Sequence, residues 1–312
     1  MKALQITGYG NNEVTVISKD APLPEVKEDT VLVKVSHAAL NPVDWKMRGG
    51  SQKKMLSLSF PATLGCDFCG VIVEKDKNVS AFEVGDEVFG TAIPSLGGSG
   101  AFAEYVVTPS KNIAKKPKNT SPAIAAAAVT VSVCGFLCLQ EGKIDTGSKV
   151  FIIGGAGGIG RAAIQLAKSM GAYVATQVHT KDIEVAREIG ADEVIDGSKN
   201  EELNSLEGYN LVVDTVGGEE YRKAYAVLQK GGIITSVTEQ PDKDLMKKYG
   251  VDAKFILGFP FTDRLEAVKS FIENKILTPH ISKTFVLDDA REALEYQQHG
   301  KPGGKVVLDI GQ

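Results

Sequence analysis

The stretch FIIGGAGGIGRAAIQLAK (residues 151–168) constrains the fold of this chain more than any other. An apolar run, Val150 to Ile153, feeds directly into Gly155-Ala156-Gly157-Gly158-Ile159-Gly160. That segment fits G-x-G-x-x-G, with Gly155, Gly157 and Gly160 in register. Ile159, Ala162, Ala163, Leu166, Ala167 and Met170 then recur at alternating steps of three and one, the spacing of one helical face, and Gly171 closes the run as a cap. The first glycine is expected to permit the tight turn, the second to let a pyrophosphate approach the backbone, and the third to let helix and strand pack closely. The helix N-terminus adds free N–H groups and a partial positive charge. A tight βα turn with no ligand is the competing reading, but three glycines placed by role favour a dinucleotide.

The next strand bears on which dinucleotide. An NAD site places Asp or Glu about 20 residues further on, where it holds the ribose hydroxyls. Here that region reads YVATQVHTKD (173–182), with no acid before Asp182, which stands where a helix begins. His179, Thr180 and Lys181 are therefore taken to face the ribose end of the coenzyme, and the missing acid favours NADP. Lys181 reads either as a partner for a 2′-phosphate or as a solvated lysine at a helix start.

The flanking sequence indicates an α/β chain with two domains, and 312 residues suffice for both. Up to about residue 120, short β-branched runs such as VLVKVSH (31–37), GVIVEK (70–75) and YVVT (105–108) alternate with Gly, Pro and Asp turns. From about 121 the texture changes. SPAIAAAAVTVSVCGFLCLQEG opens on a helix-start signal, and strand-then-helix units follow: KVFIIG with GRAAIQLAKSMG, AYVATQV with DIEVAREIG, and NLVVDTV with EEYRKAYAVLQKGG. GIITSV and KFILGF (254–259) complete the strands of a doubly wound parallel sheet. After about 261 come a helix, a strand, a second helix and a final strand, GKVVLDI.

A net charge of −4 and the lack of any Lys/Arg cluster interleaved with aromatics argue against nucleic acid and anionic membranes as partners. The N-terminus MKALQITGYG has no apolar core of signal-peptide length, and no run is expected to reach the ~20 apolar residues of a membrane span. Four cysteines do not make a disulfide framework, so a cytoplasmic location is the expectation.

Several further stretches resemble the zinc-free quinone oxidoreductases and enone reductases of the medium-chain dehydrogenase/reductase superfamily, the group that includes zeta-crystallin. They are LNPVDWKMRGG (40–50), FPATLGCDFCGVIVE (60–74), VGDEVFG (84–90), GAFAEYVV (100–107), the glycine loop, IGADEVID (189–196), VVDTVGG (212–218) and GGKVVL (303–308). The resemblance covers essentially the whole chain. It implies a GroES-like β-rich substrate domain, residues 1–121 completed by 262–312, and a Rossmann cofactor domain over 122–261, with NADPH and substrate held in the cleft between them. It also implies a homodimer formed by pairing the KFILGF edge strand, an apolar edge that soluble proteins rarely leave bare.

The same resemblance places Asn41 beside the nicotinamide, where its amide is expected to donate to a developing oxyanion. It adds Cys134, Val216, Gly217, Val237 and Lys305 to the residues that contact the coenzyme. Asp44 reads equally as a group that orients its neighbours and as a turn cap. Lys46 and Arg48 either attract an anion or are solvated, and Trp45 either lines the cleft or packs.

Zinc-ligand positions of related dehydrogenases fall on Asn41, the Cys66–Asp67 pair and the neighbourhood of Thr130, which together lack the usual cysteine and histidine donors. Cys66 and Cys69 form C-x-x-C, but in a strand-like run residues three apart face opposite sides, so no metal or disulfide is expected there. Cys134 and Cys138 share a helical face and are expected to pack as small apolar groups. Gly197 stands where relatives often carry tyrosine, and Cys134 where they often carry threonine.

The expected activity is NADPH-dependent reduction of quinones or α,β-unsaturated carbonyls by direct, metal-free hydride transfer, with solvent supplying the proton. Alternatives are a reductase for one dedicated biosynthetic enone, or a non-catalytic NADPH-binding sensor or RNA-binding protein.

Overall fold

Strands form where β-branched runs are bounded by turn residues, and three sheets of three, six and seven strands result among the described residues. The computed structural model describes residues 1–51, 53, 57–199, 206–300 and 302–311. It divides into two units, Met1–Thr130 with Pro260–Glu273 and His280–Gln312, and Val131–Phe259 with Asn274–Pro279. The division falls after Thr130, inside the helix Pro122–Gly142. One helix carries the chain across it, so no change of composition marks the place.

In the first unit, the strand Thr30–Ala39 is the axis of a seven-stranded sheet. Asp67–Lys75 and Lys305–Asp309 pair antiparallel with it, and Ala39 is in register with both Asp67 and Val307. That register brings the start of the C-terminal strand and the start of Asp67–Lys75 to the point where the central strand ends. Leu4, Ile6, Val33, Val35, Phe68, Phe102 and Leu308 form the core over this sheet. Helix α1 (Pro42–Arg48) begins immediately afterwards, with Asn41 as N-cap and Pro42 at its first turn, where a missing N–H costs nothing. At its other end Arg48 is buried and bonds Glu295 at 3.1 Å and Gln298 at 2.7 Å.

In the second unit, six parallel strands run in the order Glu193–Asp196, Tyr173–Val178, Lys149–Ile153, Tyr209–Asp214, Leu228–Ser236, Asp252–Phe255. This is the Rossmann order, with the glycine loop leaving the strand at which the winding direction reverses. Phe151, Ile153, Ala175, Tyr209, Val212, Tyr225 and Ile234 form its core.

Three sequence expectations need correction. The helix read into EEYRKAYAVLQKGG stops early: Gly218–Lys223 is helical, Ala224–Val227 is a 3₁₀ turn, and Leu228 already opens a strand. Pairing with Tyr209–Asp214 overrides the local helix preference there. The strand expected over 254–259 is Asp252–Phe255, and Ile256–Phe259 lies outside it. Finally, helix α2 (Pro122–Gly142) is long and apolar enough to cross a membrane, with mean hydropathy 2.1 over its best window, but 72% of that window is buried inside the protein. A helix apolar on all sides is also what a protein core requires. Gly135 contributes to its packing, since a Cβ there would lie 3.1 Å from Ala163 N on the next helix.

Candidate active site

The register around Ala39 gathers Asn41, Asp44, Cys66, Asp67 and Lys305, none of them more than 5% exposed. Asp67, with no exposed surface, accepts from Asn41 Nδ2 at 2.8 Å, from Thr130 N at 3.1 Å and from the Thr130 hydroxyl at 2.6 Å. The Lys305 ammonium lies 3.6 Å from the same carboxylate. It also donates to Leu40 O at 2.8 Å and to Asn41 Oδ1 at 2.6 Å. An ammonium has donors only, so the Asn41 atom beside it must be the oxygen, and the amide nitrogen is thereby turned toward Asp67. Thr130, half-buried, is the member of this group that keeps exposed surface.

This arrangement changes the sequence reading of Asn41 and Lys305. Asn41 Nδ2 is engaged by Asp67 and approaches Ala39 O at 3.4 Å, so the amide is bound into the protein and not offered to an oxyanion. Lys305 directs its ammonium at Leu40, Asn41 and Asp67. Neither engagement is legible in sequence: Asn41 follows one strand and Asp67 opens another, so they meet only through strand register, and Lys305 is more than 260 residues from Leu40 and Asn41.

Asp44 proves to be both cap and orienter. Its Oδ2 accepts from the Asn41 backbone N–H at 2.6 Å, the carboxylate half of a capping box. Burial raises its carboxyl from the ordinary 3.8 to about 7, and the bond from Asn41 only partly offsets this. Burial, with the carboxylates of Asp44 and Asp67, also pushes the Cys66 thiol up, so it is a poor nucleophile and a poor metal ligand. All four cysteines are free and buried, and Cys134 packs against Gly258 in the second unit. For Cys134 and Cys138 this matches the expected packing. Zinc does not suit the donors at Asn41, Cys66, Asp67 and Thr130: one is a protonated thiol, one an amide, and an ammonium holds the oxygens.

The glycine loop divides its roles differently from the expectation. Gly154, at φ +83°, makes the turn. Gly155 is needed because a side chain there would run into Thr176 Oγ1 and Ile164. Gly160 is needed because one there would run into the Gly154 carbonyl. At exposed Gly157, the N-cap of helix α3 (Gly158–Ser169), a Cβ would meet only Gly154 O at 3.4 Å. Space at this cap, above the N–H groups of Gly158, Ile159 and Gly160 that have no partner four residues back, is the cradle a pyrophosphate fits. Ala156 is buried beside Val178.

Two aspartates that the sequence reading passed over shape the rest of this edge. Buried Asp214 accepts from Val216 N at 3.0 Å, Gly217 N at 2.9 Å, Ser236 Oγ at 2.6 Å and Thr238 Oγ1 at 2.9 Å. It ties together the two loops that carry Val216, Gly217 and Val237, and Val216 is left 56% exposed. Asp196 stands opposite Val178 in the neighbouring strand. It accepts from the Thr180 hydroxyl at 2.9 Å and from Ser198 Oγ at 2.8 Å, and the Ser198 bonds hold its carboxyl below the usual range. An acid therefore does lie beside the end of the second strand, contributed by strand pairing and not by chain order, and it accepts a hydrogen bond from the Thr180 hydroxyl. His179 and Lys181 are exposed, and Lys181 has no ion-pair partner among the described residues.

The chain matches two family models, an alcohol dehydrogenase GroES-like domain over residues 27–118 and a zinc-binding dehydrogenase over 189–308. It is 32% identical to the 2-methylene-furan-3-one reductase of Solanum lycopersicum, covering 99% of this chain and 79% of that protein. It is equally 32% identical to the chloroplastic NADPH-dependent alkenal/one oxidoreductase of Arabidopsis thaliana, with the same coverage of 99% and 79%. Among solved structures, the quinone oxidoreductase from Coxiella burnetii superposes with a TM-score of 0.92 at 30% identity, covering 99% of each chain.

Gly157→Ala should fold as stably as the parent while weakening dinucleotide binding by about tenfold, because its methyl group enters the phosphate approach. Gly160→Ala should instead lower stability by ~1–3 kcal/mol, since its methyl meets backbone. Urea unfolding combined with coenzyme titration separates the two. Replacing Asp44 by Asn tests the buried carboxyl. Its folded-state pKa is raised, so the native state holds the proton more tightly than the unfolded chain, and stability from this group is lost as pH rises from about 4 toward about 7. The difference in unfolding free energy should therefore move in favour of Asp44→Asn across that window; a difference that does not change with pH would show that Asp44 is an ordinary carboxylate.

Proposed function

Because the chain belongs to the zinc-free quinone and enone reductases of the medium-chain dehydrogenase/reductase superfamily, we propose that it reduces quinones or α,β-unsaturated carbonyls with NADPH by direct hydride transfer. The observation that carries this reading is the pair of features just described: a dinucleotide cradle at Gly157, and a buried ionic cluster whose oxygens are already held by the Lys305 ammonium. The names of the tomato and Arabidopsis relatives supply the enone and alkenal classes, and the Coxiella structure supplies the quinone class. Both are activated acceptors that take hydride by conjugate addition without a Lewis acid.

When bound, the nicotinamide supplies a hydride from its C4 position, and negative charge develops on the acceptor oxygen. The α3 N-terminus and the loop Gly155–Gly160 bind the coenzyme's pyrophosphate, with Gly157 as the point of closest approach. His179, Thr180 and Lys181 meet the ribose end, where Lys181 supplies the positive charge for a 2′-phosphate. The loops fixed by Asp214 present Val216, Gly217 and Val237. Asn41 and Asp44 act as positioning residues: they fix the start of α1 and, through Asp67, the orientation of Thr130. Solvent delivers the proton that completes the saturated ketone or the hydroquinone.

We further propose a homodimer. The strand Asp252–Phe255 is the last in its sheet, and Leu257 just beyond it is 49% exposed. The expectation of a cytoplasmic location rests on cysteine usage and the N-terminus; the Arabidopsis relative is chloroplastic by name.

A panel of α,β-unsaturated ketones, alkenals and quinones should show NADPH oxidation with at least one acceptor, with the saturated carbonyl or hydroquinone as product. Silence across the panel would remove the enzymatic reading. Lys181→Ala should weaken NADPH binding by about tenfold and leave NADH nearly unchanged; equal loss for both coenzymes would show that the lysine supports the fold. Light scattering at micromolar protein should give twice the chain mass, and a monomer there would refute the dimer.

A further inference from the structure

We infer that Lys305 is the resident cation of the buried cluster: its ammonium takes the place of a divalent ion among Leu40 O, Asn41 Oδ1 and Asp67, and so closes this site to metal. The family model that matches the C-terminal part is described as zinc-binding, yet the oxygens that converge here are already held by a side chain of the protein itself.

Three observations support it. Lys305 is 5% exposed, and its ammonium donates at 2.8 Å and 2.6 Å to two oxygens and pairs with the Asp67 carboxylate at 3.6 Å. It is the positive charge facing two wholly buried carboxylates, Asp44 and Asp67. Its partners are hard oxygen donors, the class that binds divalent cations at about 2.0–2.6 Å. Removing the lysine side chain would therefore leave a carbonyl, an amide oxygen and a carboxylate without their cation, the carboxylate still held by the Thr130 hydroxyl. Lys305 acts on the reaction through Asn41 and Asp67, as a positioning residue and as their counter-charge.

The test uses the full chain without substrate or coenzyme, so it can fail independently of the reductase reading. Purified Lys305→Ala is titrated with Co²⁺ at neutral pH, and uptake is read by visible absorbance, equilibrium dialysis and thermal unfolding. The variant should bind one Co²⁺ per chain and melt several degrees higher with it. Wild type should do neither, and Asp67→Asn on the Lys305→Ala background should abolish uptake. Stoichiometric uptake by wild type, no uptake by folded Lys305→Ala, or uptake that survives Asp67→Asn would each overturn the inference. Should Lys305→Ala not fold, Lys305→Met is compared with Lys305→Met/Asp67→Asn. A resident counter-charge requires the neutral pair to recover soluble yield and melt at least a few degrees above Lys305→Met, and a double variant no better than the single one overturns it.

Discussion

The contact between Asp67 and Lys305 fastens two strands that flank the end of the central strand at Ala39. Asp67 opens one strand and Lys305 opens the last one. Asn41 between them caps α1, and Thr130 extends the network to α2. A buried ion pair adds little net stability over a well-packed apolar pair, but deleting one partner costs ~3–5 kcal/mol because the other is left charged and unsolvated. Its main effect is therefore on geometry: only when the central strand ends at Ala39, and both neighbours start in register with it, can the ammonium reach its partners.

The loops of the parallel sheet use a related device. Asp214 accepts four hydrogen bonds from two loops, and Asp196 fastens Thr180 and Ser198. In each case a short carboxylate at the end of a strand collects donors from segments that are adjacent only because the strands pair. Loops at the carboxyl edge of an open sheet bind ligands, and these carboxylates convert that edge from a set of independent turns into a fixed surface.

The glycine loop shows how far local reading extends. Strand, turn and helix over 150–171 follow from the apolar run and the helical spacing, and Gly157 is open, as a phosphate approach there would require. The duties of Gly154 and Gly155 were not separable, because a positive φ and a side-chain collision with Thr176 produce the same preference for glycine. Asp196 is not legible beside the second strand for a related reason: it is distant in sequence from Val178 but opposite it in the parallel register. Helix α2 likewise has the composition of a membrane span, and only its burial distinguishes it as a core helix.

By itself the sequence determined the periodicities, and through them the α/β class, the order of strands and helices, and a glycine cradle suited to a dinucleotide. These depend on neighbours within a few residues, where backbone preference and side-chain spacing act. Tertiary structure alone decided what the polar side chains do: that Asn41 is bound and not free, that Asp44 is a carboxyl held near neutrality, and that Lys305 is a buried counter-charge. A charge or an amide is given its role by what surrounds it once water is excluded, and that environment exists only after distant strands have found their register.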